Sequence, residues 1–200
     1  NLVLAISAVR AFSRLGAGLV PLDIYWRHSV LTGVLARNLA RAGGAPHAER
    51  SFVAGLLHDI GSPVIYTQLP ALVANVTVRD ELALCAVERE LLEFTHADVG
   101  ARLLESWQLP DEIANTIRTH HDNFSPPLEV APDALKLAER LANTVPSYAF
   151  FPLAEGADPE PLDEALMHGL GEFSTEPVES VLAAALEDTE GLLKSLFGQM

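Results

Sequence analysis

The sequence predicts an all-α protein, a bundle of helices without a sheet. Three observations lead there. Apolar residues recur at helical spacing along nearly the whole chain, alternation at period two is almost absent, and proline, glycine and acidic residues fall between the periodic runs, where helix ends belong.

The elements follow in order. Leu2, Val3, Ile6, Val9, Phe12 and Leu15 carry the helical period into the first segment. Arg10 and Arg14 interrupt it, so it reads as an amphipathic or core helix and as neither a signal peptide nor a membrane span. The chain opens on Asn1 and reads as a fragment or a processed product. A helix is expected over 22–41, closed by Gly43-Gly44, and another over 46–60, with Gly61 as its stop and Pro63 just beyond. Leu69-Pro70 marks a further helix start, and 76–94 reads as one long exposed helix capped by Thr77 or Asp80. Thr95-His96-Ala97-Asp98 has the spacing of a capping box and opens a helix through Trp107. Pro110-Asp111-Glu112 opens the next, with proline and acids in its first turn as the macrodipole favours, and it should end near His120 and His121. The proline-bearing segment 122–132 reads as a loop and a candidate lid or hinge. A helix over 133–145, an aromatic patch at Tyr148, Phe150 and Phe151, a connector at 155–161 and two helices over 161–169 and 177–197 complete the chain. The organisation expected is a helical core over 1–150 and a helical extension over 151–200 packed on it.

Composition narrows the function classes. The 200 residues are 49% apolar, enough for one sizeable core. With 27 acidic against 13 basic residues the formal net charge is −14, and Lys136 and Lys194 are the only lysines. Such a surface excludes broad contact with nucleic acid or an anionic membrane. A single cysteine, Cys85, allows neither an internal disulfide nor a thiolate cluster, and the expected compartment is the cytoplasm. Cys85 itself reads as inert. The sequence has no glycine-rich phosphate loop followed by lysine, which removes P-loop nucleotide hydrolysis.

The histidines carry the chemistry. Five of the seven, His28, His58, His96, His120 and His121, fall at helix positions that can converge, and Asp59 adjoins His58. Neutral imidazoles around a carboxylate that can bridge suit iron, manganese or zinc. Successive helical residues point about 100° apart, so His58-Asp59 and His120-His121 can each straddle a cleft between helices, as a two-metal site requires. His96 sits in a first helical turn, where the dipole disfavours protonation and leaves the ring available to ligate. His47 and His168 lie in polar, loop-like surroundings and are set aside. Trp26 and Trp107 read as apolar anchors, and the helix ending at Phe197 as one docked back on its own domain.

Phe52-Val53-Ala54-Gly55-Leu56-Leu57-His58-Asp59-Ile60-Gly61 resembles the HD superfamily of helical metal-dependent phosphohydrolases. Trp26-Arg27-His28-Ser29, Glu90-Leu91-Leu92, Thr95-His96-Ala97-Asp98-Val99-Gly100-Ala101, Trp107-Gln108-Leu109-Pro110 and His120-His121 narrow the likeness to the HDOD family, the HD-related output domain of bacterial signalling proteins. The likeness spans about residues 1–145, with upstream helices lacking. It implies an HD-domain-like helical bundle acting as a signalling output, joined to protein partners or to a fused receiver domain. It also implies a divalent metal site, dinuclear as in the related HD-GYP phosphodiesterases, with iron, manganese or zinc held by His28, His58, Asp59, His96, His120 and His121. Glu139 takes the place of the aspartate that completes the site there. In that arrangement His28, His58, Asp59 and Glu139 hold one ion and His96, His120 and His121 the other, bridged by Asp59.

Departures from that pattern bear on activity. Ser62 stands where a phosphate-contacting lysine commonly follows the HDIG run, no GYP motif follows His121, and Ile24 stands where an acid often precedes the first histidine. The reading is therefore a regulatory output domain with a His/Asp metal site. A metal-dependent phosphohydrolase acting on a phosphate-containing small molecule is the alternative, with Arg27, Arg118 and Lys136 as the candidate cations for substrate phosphate.

Overall fold

The computed structural model describes residues 21–70, 81–123, 129–151, 164–174 and 176–198. The helix expected across the first twenty residues, the Thr77 and Asp80 caps and the connector at 155–161 lie outside these. The described residues form helices and no strand, so the all-α expectation holds: α1 (Leu22–Ala42), α2 (Ala48–Leu57), α3 (Gly61–Gln68), α4 (Glu81–Leu92), α5 (His96–Ser106), α6 (Asp111–Arg118), α7 (Val130–Asn143), α8 (Glu164–Phe173) and α9 (Val178–Phe197).

α1 is the axis. It packs along α2 and α7, with α9 and α8 also against it, and α6 closes over α2 and α7. Val30, Leu31, Val34, Leu35 and Ala36 are fully buried, so the helix is apolar nearly all round, as an element inside a bundle must be. Its end matches the glycine signal: Gly43 caps it and Gly44 takes φ +81°, a left-handed conformation that favours glycine. α9 docks on α1 through buried Ala185, Thr189 and Leu193, with the Phe197 ring 5.8 Å from that of Trp26.

Two close crossings position the site. Gly33 of α1 and Gly55 of α2 meet back to back, and a Cβ on Gly55 would lie 2.6 Å from the Gly33 Cα. Gly61 rests on the first turn of α5, where a Cβ would come within 2.0 Å of the His96 carbonyl oxygen. The first crossing brings α2, and so His58, up to α1. The second presses the His58-Asp59 turn onto His96.

Gly61 is thus no terminator. The helix expected over 46–60 ends at Leu57, and α3 starts at Gly61 itself, with Pro63 in its first turn, where a missing N–H costs nothing. Other expectations also shift, and the helix expected over 161–169 runs on to Phe173. α4 is not a wholly exposed helix, since Leu84 and Glu88 are buried. α6 ends at Arg118 and leaves His120 and His121 in the following turn. α7 starts at Val130, so Pro132 lies in its first turn and not in a loop. The capping box at Thr95 is present, with the Thr95 side chain accepting from the Asp98 N–H and Asp98 accepting from the Thr95 N–H.

A Gly61→Ala substitution should cost at least about 2 kcal/mol, because backbone faces backbone there and neither can yield. Gly191→Ala, in the interior of α9 with open space around it, should instead stabilise by about 0.5 to 1 kcal/mol. Urea unfolding of the two variants checks both signs.

Candidate metal centre

Each imidazole has an acceptor at Nδ1. His28 leaves α1 on the stripe of Tyr25, Ser29 and Thr32, and its Nδ1–H donates to the Tyr148 carbonyl at 2.9 Å. His58 caps α2 and donates from Nδ1 to the Gly55 carbonyl at 2.7 Å. His120, in the turn after α6, donates from Nδ1 to the Ile117 carbonyl at 2.5 Å. His96 opens α5 and donates from Nδ1 to Glu88 Oε2 at 2.7 Å. His121 turns Nδ1 toward Glu139 Oε1 at 3.3 Å. A carbonyl can only accept, so His28, His58 and His120 carry a proton on Nδ1 and turn Nε2 away from that acceptor, the second-shell pattern of metal-ligating histidine.

The inward nitrogens converge on Asp59. His58 Nε2 lies 3.1 Å from Asp59 Oδ2, while His96 Nε2 and His120 Nε2 lie 3.3 Å and 3.6 Å from Oδ1. The rings run on from one another, with centroid separations of 5.2 Å for His28–His58, 5.2 Å for His58–His120 and 3.8 Å for His120–His121. Asp59 is 1% exposed, yet neither of its oxygens, nor His120 Nε2, makes a hydrogen bond among the described residues. The atoms are close but misaligned for mutual hydrogen bonding, as lone pairs directed at a common point are. Leaving a buried carboxylate in that condition is costly unless a cation sits among the nitrogens.

The donor set passes the fit test for a divalent metal. Ligand atoms of Asp59, His96, His120 and His121 lie within 4.8 Å of one another, and so do those of His28, His58 and Asp59. The two groups share Asp59. Glu139 gathers with His58 and His120 and lies beside His121, so it borders both ligand groups.

The charge of His96 differs from the helix-dipole expectation. Burial pushes its pKa down, but the nearby Asp59 carboxylate and the hydrogen-bonded Glu88 carboxylate hold it up at about 10. Two carboxylates at contact distance outweigh one helix end. Burial pushes Asp59 up, and the surrounding histidines, His58 foremost, more than reverse this and keep it well below the usual range. Burial, then His120 and His96, drives His121 down, so it is neutral and accepts from protonated His96, with Nε2 to Nε2 at 2.9 Å. Two ligands of one tetrahedral ion stand about 3.3 Å apart. A metal can therefore replace that proton with little movement.

Sequence reasoning missed Glu88. It is 1% exposed, and one oxygen, Oε2, accepts both the His96 backbone N–H at 2.8 Å and Nδ1–H. The signal was the spacing Leu84 to Glu88, one turn apart on the face of α4 that turns inward. The candidate phosphate cations are all engaged. Arg118 pairs with Glu105 at 2.6 Å, Lys136 with Asp133 at 3.1 Å, and Arg27 donates to the Ser147 carbonyl and lies over the Tyr148 ring.

A helical bundle closed over a buried His/Asp cluster defines the class, and the comparisons specify it. Residues 1–123 match the HDOD domain, and the chain belongs to that family. The match ends before Glu139, short of the 145 residues expected. An uncharacterized protein of Treponema pallidum (strain Nichols) is 31% identical over 111 residues, which are 54% of this chain and 22% of that protein, so the chain spans about a fifth of that relative's length. An HDOD domain protein of unknown function from Geobacter sulfurreducens superposes with a TM-score of 0.67 at 19% identity, covering 96% of this chain and 67% of that one. A Shewanella amazonensis protein named for phosphohydrolase activity gives 0.65 at 20% identity over 93% and 66%. The response regulator MmoQ of Methylococcus capsulatus gives 0.62 at 18% over 83% and 64%. At these identities the three structures share the fold.

The raised His96 pKa has a definite sign in stability. The fold holds a proton that the unfolded chain releases near pH 6.5, so in metal-free protein this contribution is complete below about pH 6.5 and is lost as pH rises through about 10. Glu88→Gln should flatten that decline, as read by urea unfolding across the pH range.

Proposed function

We propose that this chain is a signal-transduction output domain whose buried His/Asp centre holds a divalent metal, iron, manganese or zinc, as a regulatory and structural element and not as a robust catalyst. The observation that carries the reading is the set of Nδ1–H groups, each tied outward to a fixed acceptor, with the Nε2 atoms of His58, His96 and His120 gathered on the Asp59 carboxylate. His28, His58, Asp59, His96, His120 and His121 would hold the metal, with Glu139 supporting His121. Two overlapping ligand groups with Asp59 in both favour a dinuclear centre. Bound there, the metal would compensate the Asp59 charge and couple its own binding energy to folding.

The same features argue against efficient turnover. The ligands other than His121 are all at most 4% exposed, and the arginines and the lysine near the site are engaged. Ser62 occupies the position after the HDIG run and is fully buried. A phosphate ester would find neither an open coordination position nor a cation to neutralise it. The partners this reading favours are proteins, or a fused receiver domain, in the cytoplasm; among the described residues no helix is long and apolar enough to cross a membrane. The phosphohydrolase reading rests on the shared Asp59, which could bridge two ions around an activated water, and on the Shewanella neighbour.

Elemental analysis of untagged, anaerobically purified protein should give one to two equivalents of iron, manganese or zinc per chain. His58→Ala combined with Asp59→Ala should remove the metal and lower Tm together, while His47→Ala alters neither. Full metal content in the double variant would place the site elsewhere. The loaded protein should leave bis(p-nitrophenyl) phosphate and cyclic dinucleotides unhydrolysed above the buffer rate; metal-dependent turnover abolished by the double variant would establish the phosphohydrolase instead.

A further inference from the structure

We propose that Cys85, Glu88 and the outward edge of His96 form a second metal site, for a thiophilic divalent cation such as zinc or cadmium, on the opposite side of the His96 ring from Asp59. Ligand atoms of these three residues lie within 4.8 Å of one another. Cys85 and Glu88 are three apart on α4 and therefore share a face, and His96 opens the helix that this face meets. Glu88 supplies an independent sign of a ligand. Its Oε2 takes both His96 N–H groups, while its Oε1, equally buried, has no hydrogen-bond partner among the described residues. A buried carboxylate oxygen without a donor costs free energy that a coordinated cation would recover.

The donor set selects the ion. A thiolate, an imidazole and a carboxylate suit zinc or cadmium and serve magnesium or calcium poorly. Cys85 is half-buried, whereas His58, Asp59 and His120 are closed to solvent, so the outer position is approached from solvent through the thiol. Loading it releases the thiol proton and the His96 Nδ1 proton to solvent. A neutral imidazole offers one lone pair, so a cation on Nδ1 leaves the proton on Nε2 and withdraws His96 from the inner set. Outer occupancy and full inner ligation thus compete for one ring, which makes α4 a lever on the buried centre. The outer site is therefore most available when the inner centre does not use His96.

The test is a Cd²⁺ titration of the reduced, metal-free protein, followed by the ultraviolet thiolate-to-cadmium charge-transfer band. The band should saturate at one equivalent, independently of protein concentration. Cys85→Ser should abolish it while leaving the inner metal content unchanged, and His96→Ala should weaken cadmium binding by about tenfold or more. No band in the wild-type chain would overturn the proposal, showing that the thiol serves only as a neighbour of Glu88. Saturation at half an equivalent would also overturn it, as the mark of cadmium shared between the cysteines of two chains. Should His96→Ala fail to fold, NMR of the wild-type protein loaded with a magnetically active cadmium isotope decides: coupling to His96 Nδ1 is expected, and its absence overturns the site.

Discussion

The structure depends on one buried negative charge. Asp59 lies at the meeting of α2, α3, α5 and the turn after α6, with three imidazole nitrogens within 3.6 Å of its oxygens. A carboxylate in that position is tolerable only if compensated, and each compensating ring must be held so that its Nε2 faces inward. Carbonyls do most of the holding: Gly55, Ile117 and Tyr148 accept the Nδ1–H of His58, His120 and His28. His96 is held instead by the Glu88 carboxylate, and it is kept protonated between two negative groups. The ring with the most negative surroundings is also the one from which a metal must displace a proton.

The backbone geometry serves that cluster. Gly33 against Gly55 and Gly61 against the first turn of α5 are contacts in which no side chain fits, and each sits beside a histidine of the site. Close-packed interiors respond to small changes in shape, so the glycines convert helix packing into ligand geometry. The C-terminal region is tied in through a different route. Tyr148 presents its carbonyl to His28 while its hydroxyl meets Glu190 of α9 at 3.3 Å, and Phe150 packs edge-on against His28 at 5.5 Å. A shift of α9 on α1 therefore reaches the first histidine, and a shift of α4 reaches His96 through Glu88.

For function, burial weighs more than ligand count. A cluster with this many donors could support hydrolysis if it were open, but its ligands are enclosed and the arginines and lysine around it are occupied. Such a centre suits a role in which occupancy changes the stability or the arrangement of helices, and an output domain read by other proteins needs no more than that.

Much was legible in the sequence alone. Helical periodicity set the class, the Thr95 capping box placed the start of α5 to the residue, and the ordered histidines with Asp59 named the cluster, because local propensity and spacing are properties of short segments. What only the tertiary structure decided were the quantities that depend on residues far apart in the chain. Gly61 looks like a helix stop until the His96 carbonyl is seen above it. Glu88 looks like one acid among many until its burial against His96 appears, and that contact reverses the charge expected from the helix dipole. Glu139 faces His121 because of how α7 crosses the bundle, which no local pattern encodes. Fields and close contacts fall off within a few ångströms in space, and the chain brings such distances about only by folding.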